Sequence, residues 1–165
     1  MSDRLIIGIL VLLITAQCSN YKTSDKSDSE TSFGSEIQLS DLNGRGIDLS
    51  DYKGKIVILN VWATWCKPCI KELPSMKVLQ SNLDPDEFAL LFASDEDVNK
   101  INQFIDKNSY ELNFISLLSP PESLGIFSLP TTFIVGKEGE LLMTETGSKD
   151  WGSVESIEEI KNLSK

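Results

Sequence analysis

Cys66 and Cys69 stand two residues apart in the stretch Trp62-Ala63-Thr64-Trp65-Cys66-Lys67-Pro68-Cys69. Thiols at this spacing can close a small disulfide ring and reopen it, exchanging two electrons with another dithiol through attack of a thiolate on a disulfide sulfur. The apolar run Ile56-Val57-Ile58-Leu59, with Val61, precedes the pair, which places it where a buried strand hands over to a helix. At a helix start, free backbone N–H groups and the positive end of the dipole favour a thiolate over a thiol. Cys66, with Lys67 beside it, is then the nucleophile, and Cys69, one turn in and more buried, resolves the mixed disulfide. The alternative is an inert structural bridge or two buried free thiols. A ring this short restrains the unfolded chain little and would make a poor staple.

The composition narrows the chemistry further. The chain has no histidine, which removes Ser-His and Cys-His catalysis, His-ligated metals and c-type haem attachment together. Beyond the pair the only other cysteine is Cys18, and two thiolates are too few for a closed structural zinc site. No metal and no cofactor other than the Cys66–Cys69 couple is expected. A net charge of -10 argues against a nucleic-acid partner, since phosphate binding needs clustered Lys and Arg. A length of 165 residues suits one domain with a short appendage.

That appendage is N-terminal. Residues 5–16 (LIIGILVLLITA) are almost wholly apolar and follow a head containing Arg4. As a helix they would extend about 18 Å, well short of the ~30 Å hydrocarbon core, so residues 1–17 read as a signal peptide. Cys18 follows directly. The layout resembles a bacterial lipoprotein signal, whose cysteine becomes the lipidated first residue of the mature protein. Thr15 and Gln17 depart from that pattern, which favours Leu and a small residue there. Ordinary cleavage after Ala16 and an uncleaved anchor are the alternatives, and each exports the domain. Residues 18–34, rich in Ser, Thr, Asp and Lys without periodicity, read as a flexible tether.

The domain over 35–165 must position the cysteine pair. Alternation at Ile37 and Leu39 and at Ile47 and Leu49, about a turn at 43–46, predicts a hairpin. Residues 56–62 predict a central strand buried on both faces. A helix follows from Lys67 to about Leu83 with Ile70, Leu73, Met76, Val78 and Leu79 apolar. Pro68 lies in its first turn, and Pro74 lies inside, where a kink is expected. Residues 88–93 predict a second buried strand. Ser94, Asp95, Glu96 and Asp97 supply a cap and acids for a helix carrying Val98, Ile101, Phe104 and Ile105. Residues 114–118 form a strand and 119–125 a short helix or turn. Residues 129–135 and 140–145 pair across a turn at 136–139, and Val154, Ile157, Ile160 and Leu163 mark a C-terminal helix. The fold class is α/β, a mixed sheet with helices on both faces.

Trp62 through Cys69, with Pro74 and Leu129-Pro130-Thr131-Thr132-Phe133, resembles the thioredoxin superfamily, in its exported TlpA/ResA-like branch. The likeness covers about residues 35–165, including that branch's extra N-terminal hairpin. It implies a cis peptide bond at Pro130 beside the cysteine pair, leaving the backbone of Leu129 and Thr131 free to hold a substrate chain. Trp65 would cover part of the same surface, and Trp62 would belong to the core. Lys67 and Pro68 would tune the redox couple. Thioredoxin carries a buried acid six residues before its first cysteine, where this chain has Asn60. Glu72 matches the active-site glutamate of the TlpA/ResA-like branch and would handle the proton of the resolving thiol. An early-turn glutamate also suits the helix dipole without any such role. Thr64 carries no signal of its own.

The implied activity is that of an exported, membrane-tethered thiol-disulfide oxidoreductase that reduces disulfides in other exported proteins, apocytochrome c among the possible clients. It would draw electrons from a membrane donor and act as a monomer, since no dimerisation segment of the kind found in isomerases of this fold is evident. A peroxide reductase of related fold wants a proline and a threonine seven and three residues before the reactive cysteine, where Leu59 and Ala63 stand. Copper-delivery modules of this fold use wider cysteine spacing and a histidine. Direction of electron flow depends on potential, about 30 mV per tenfold change in equilibrium constant.

Overall fold

The computed structural model describes Phe33 and residues 37–165. The expected signal peptide, Cys18 and all of the expected tether except Phe33 lie outside the described residues.

The chain is organised about β3 (Ile56–Val61), every residue of which is buried. Its side chains alternate between two apolar layers, Ile56 and Ile58 facing one and Val57, Leu59 and Val61 the other. Two parallel neighbours follow through helical crossovers: β3, α1 (Lys67–Asn82), β4 (Phe88–Ser94), α2 (Val98–Asn108) and β5 (Phe114–Leu117). Both crossovers step the same way across the sheet, and a right-handed connection then leaves both helices on one face. On the other side of β3 lies β6 (Thr131–Val135), antiparallel, with Val61 opposite Thr131 and Asn60 opposite Thr132. Strand β7 (Leu141–Thr146) forms that edge. The short hairpin of β1 (Leu39–Ser40) and β2 (Gly46–Ile47) closes the opposite edge by pairing β1 with β5. The sheet order is β2-β1-β5-β4-β3-β6-β7, the mixed thioredoxin-like arrangement with its N-terminal hairpin.

One face carries α1, α2 and the C-terminal α3 (Val154–Asn162). Leu73, Met76 and Leu79, Ile101, and Ile160 pack there with Trp62, Phe92 and Phe114. The other face is covered by Ile37, by Leu49 of the 3-10 turn Leu49–Tyr52, and by Leu124 and Ile126 at and after the 3-10 turn Pro121–Leu124. Helices on both faces is therefore corrected: among the described residues all three α-helices share one face, and the second face has only 3-10 turns. Leu49 likewise leaves the predicted hairpin for a turn capped by Asp48, whose carboxylate accepts from the Ser50 N–H at 2.8 Å.

Apolar residues expected on helix faces do not all reach the core. Val78 of α1 and Val154 of α3 are 46% and 68% exposed. Each residue turns a helix by about 100°, so a strict three-residue repeat drifts about 60° per step. Val154 lies two such steps from Ile160 and leaves the buried face. Pro74 does not break α1, which continues to Asn82. The N-cap of α2 is Asp97, accepting from the Asn99 N–H at 2.8 Å, rather than Ser94.

The two helix positions give a direct test. Leu79→Ala empties a fully buried site and should cost about 2–5 kcal/mol, whereas Val78→Ala should stay within about 0.5 kcal/mol. Urea unfolding midpoints at unchanged slope would show it; equal losses would contradict the assigned face.

Candidate active site

The backbone leaves β3 at Val61, and the Trp62 N–H still donates to Ala93 O on β4 at 3.0 Å. Trp62 is fully buried beside Phe104 and Phe114, ring centroids 4.9 and 5.0 Å away. The chain then turns through Ala63, Thr64 and Trp65 into α1. Cys66 is the N-cap of that helix in an extended conformation, and its Sγ accepts from the Cys69 N–H at 3.2 Å. Sulfur thus occupies the place of the capping oxygen usually given by Ser, Thr, Asp or Asn. Pro68 sits in the first turn, where no intrahelical donor is required. Lys67 and Pro68 are exposed.

Cys66 and Cys69 form a disulfide with Cα atoms 5.3 Å apart. Cys69 is completely buried, and Cys66 keeps 4% of its surface exposed. Trp65 projects outward at 69% exposure immediately before the bridge. The Leu129–Pro130 peptide bond is cis. The pairing of Thr131 with Val61 puts this bond at the same end of the sheet as the turn into Cys66. Pro130 and Thr131 are buried, Leu129 is half-buried, and the Thr131 hydroxyl donates to Ser128 O at 2.8 Å. Trp65, Cys66, Cys69, Leu129, Pro130 and Thr131 therefore share one end of the sheet.

Glu72 lies three residues beyond Cys69 in α1, which puts both on one helix face. It is buried, and its carboxylate is held from two directions. The Asn60 Nδ2 of β3 donates to Oε1 at 2.9 Å, and the Lys149 backbone N–H donates to Oε2 at 3.2 Å. Asn60 Nδ2 also donates to Thr132 Oγ1 of β6 at 2.9 Å. Burial pushes the Glu72 carboxyl above the ordinary glutamate range; the Asn60 amide, the Lys149 N–H, and the Trp151 and Ser148 side chains pull it partly back. Among the described residues the buried Trp151 indole N–H has no hydrogen-bond partner in good geometry, and it acts on the carboxyl by proximity. The carboxyl borders a shallow depression lined by Lys71, Ser75, Ser148, Lys149 and Asp150.

Several of these contacts had no sequence signal. Thr64 gives its N–H and hydroxyl to Glu96, at 2.5 and 2.9 Å, so the residue expected to serve only a helix start instead fixes the turn before Cys66. Asn60 could be seen only as a departure from thioredoxin; the alternation along β3 does put it on the helix-bearing face. Thr132 follows from strand register, and Lys149 from nothing local, since it is 77 residues from Glu72.

A thioredoxin-like sheet delivering a Cys-x-x-Cys disulfide to a helix N-cap, with a cis-proline at the same end, defines a thiol-disulfide oxidoreductase of thioredoxin type. The sequence pattern of the AhpC/TSA family matches residues 34–143, and the chain belongs to that family, on its ResA-like side. The thiol-disulfide oxidoreductase ResA of Bacillus subtilis is 34% identical over 149 residues, covering 86% of this chain and 83% of the relative. ResA of Bacillus cereus is 30% identical over 159 residues, covering 89% and 90%. Among solved structures, a thiol:disulfide interchange protein DsbE from Chlorobium tepidum has a TM-score of 0.67 at 22% identity, covering 80% of this chain and 95% of that one. An exposed lipoprotein thioredoxin of Streptococcus pneumoniae has a TM-score of 0.59 at 27% identity, covering 74% and 97%.

The buried carboxyl makes stability depend on pH. Its proton affinity is higher folded than unfolded, so its contribution is complete below about pH 4.5 and is lost as pH rises through the raised value. Relative to Glu72→Gln, the stability of the natural protein should fall with rising pH across that interval. Urea midpoints of the two oxidised proteins would measure it, and a difference constant with pH would refute the assignment.

Proposed function

We propose that this protein is an extracytoplasmic, membrane-tethered reductant of disulfides in other exported proteins, with apocytochrome c as one client class. The observation that carries the reading is the Cys66–Cys69 disulfide at the N-cap of α1 with a buried carboxyl on the same helix face. The apolar segment 5–16 followed by Cys18 supports export and anchoring. The ResA relatives support the disulfide chemistry, and the pneumococcal exposed lipoprotein thioredoxin supports an anchored domain.

In the reduced protein the Cys66 thiolate attacks one sulfur of a client disulfide. A Cys66–client disulfide forms, and the client's other sulfur leaves as a thiolate that takes up a proton. Glu72 accepts the Cys69 proton, and the Cys69 thiolate attacks Cys66 Sγ. The client's second sulfur leaves, and the Cys66–Cys69 bridge closes. Two electrons have passed to the client, and a dithiol donor at the membrane restores them. Trp65, Leu129, Pro130 and Thr131 hold the client chain beside the bridge, while Lys67 and Pro68 tune the couple. Cys18 carries the lipid anchor. The protein acts as a monomer on protein thiols and disulfides.

Three outcomes test the reading. Cys66→Ser should abolish disulfide reduction, and Cys69→Ser should accumulate mixed disulfides through Cys66, whose partners identify the clients. Glu72→Gln should slow exchange at neutral pH by roughly a hundredfold. Insulin reduction surviving loss of Cys66 would overturn the proposal, as would peroxide consumption faster than disulfide reduction.

A further inference from the structure

Asn60 is fully buried yet uses only one end of its amide. Nδ2 donates to Glu72 Oε1 and to Thr132 Oγ1, both at 2.9 Å, while Oδ1 has no hydrogen-bond partner among the described residues. Buried polar atoms are nearly always paired, so an orphan acceptor beside a reactive carboxyl calls for an explanation.

The two ends of a primary amide have nearly the same shape and opposite hydrogen-bonding character. Half a turn about the last side-chain bond would bring Oδ1 between Glu72 and Thr132 and send Nδ2 to the place Oδ1 now occupies. No bond is lost at that place, because Oδ1 makes none there. A charged carboxylate needs a donor from Asn60. A protonated carboxyl that points its O–H at Asn60 needs an acceptor. The Thr132 hydroxyl can serve either orientation, accepting from Nδ2 or donating to Oδ1.

We propose that Asn60 is a proton-linked amide rotor that presents its NH2 to Glu72 when the carboxyl is charged and its carbonyl when the carboxyl is protonated, with Thr132 as the common partner. Asn60 is thus a positioning residue, and the proposal rests on the reading of Glu72 as the proton carrier. A carrier must gain and lose its proton in every cycle, and a fixed donor at Oε1 serves the charged carboxylate but not a proton carried on that oxygen. The rotor supports both.

The remaining surroundings of Glu72 do not replace this function. On the sheet side its neighbours Asn60 and Thr132 do not ionise. From the segment after β7, the Lys149 backbone N–H holds Oε2 at 3.2 Å. The Lys149 ammonium is engaged elsewhere, 2.7 Å from Glu159 and 5.0 Å from the Trp151 ring centroid. Ser148, Asp150 and, from α1 itself, Lys71 line the depression beside the carboxyl, and Cys69 lies one turn before it. Trp151, buried in the same segment, can only donate. Asn60 is distinguished by a direct hydrogen bond to the carboxylate together with an unused acceptor that half a turn would present to it.

The test is a titration of the oxidised full-length protein labelled with 15N in asparagine side chains and 13C in glutamate carboxyls, with Glu72→Gln and Asn60→Leu identifying the two signals. The Asn60 NH2 resonances should move with the same midpoint as the Glu72 carboxyl. The magnetisation-transfer contact from the Asn60 NH2 protons to the Thr132 side chain should weaken by more than half as Glu72 protonates. In Glu72→Gln the same contact should be independent of pH. Contacts from NH2 to Thr132 unchanged throughout the Glu72 titration would overturn the rotor and leave the proton-carrier reading intact. Exchange kinetics unaltered by Glu72→Gln would overturn the carrier reading, whichever way the amide turns.

Discussion

The hydrogen bond from the Cys69 N–H to Cys66 Sγ fixes the point at which the central strand yields to the first helix. Every other feature of the site is referred to that point. A capping sulfur lies among the unpaired N–H groups of the first helical turn, where negative charge is favoured. The same geometry brings Cys69 back towards Cys66 one turn later, so the ring closes without unwinding the helix. Neither side of the junction can drift. Strand β3 is buried between β4 and β6, and α1 is held by fully buried Leu73, Met76 and Leu79. The intervening turn is tied by Thr64 to Glu96, two residues beyond β4.

Glu72 adds the second constraint. A buried carboxylate is tolerable only where donors replace the water it has lost. Here they come from β3 and from the segment after β7, and both must be in register for the acid to be accommodated. The arrangement links the protonation of Glu72 to the tertiary fold. Burial raises the affinity for the proton, the donors limit that rise, and the carboxyl stays on the face of α1 that carries Cys69. Asn60, placed by alternation along β3, connects the acid to Thr132 and hence to the strand that follows the cis-proline.

The strand-to-helix junction, the buried strands and the cysteine pair were legible because each depends on a short local pattern: β3 and β4 on unbroken apolar runs, the site on the Cys66–Cys69 spacing. The shared face of all three helices was not legible, because it follows from strand order rather than from any local period. Val78 and Val154 were misplaced for a related reason: an apolar residue within a helix is not on the buried face unless its angle agrees with its neighbours. The support around Glu72 was the least visible part. Asn60 and Lys149 lie 12 and 77 residues from it, and only the sheet register brings them together. The cis form of Pro130 was expected from family resemblance alone, since cis bonds are a minority even before proline.

If exchange runs as proposed, the N-cap makes Cys66 the attacking thiolate and Cys69 its buried resolving partner. Timed alkylation of the reduced protein at neutral pH, with each cysteine quantified by peptide mapping, measures this directly. Cys66 should be modified at least roughly tenfold faster than Cys69, as thiolate character and exposure require. Equal rates, or faster modification of Cys69, would contradict it.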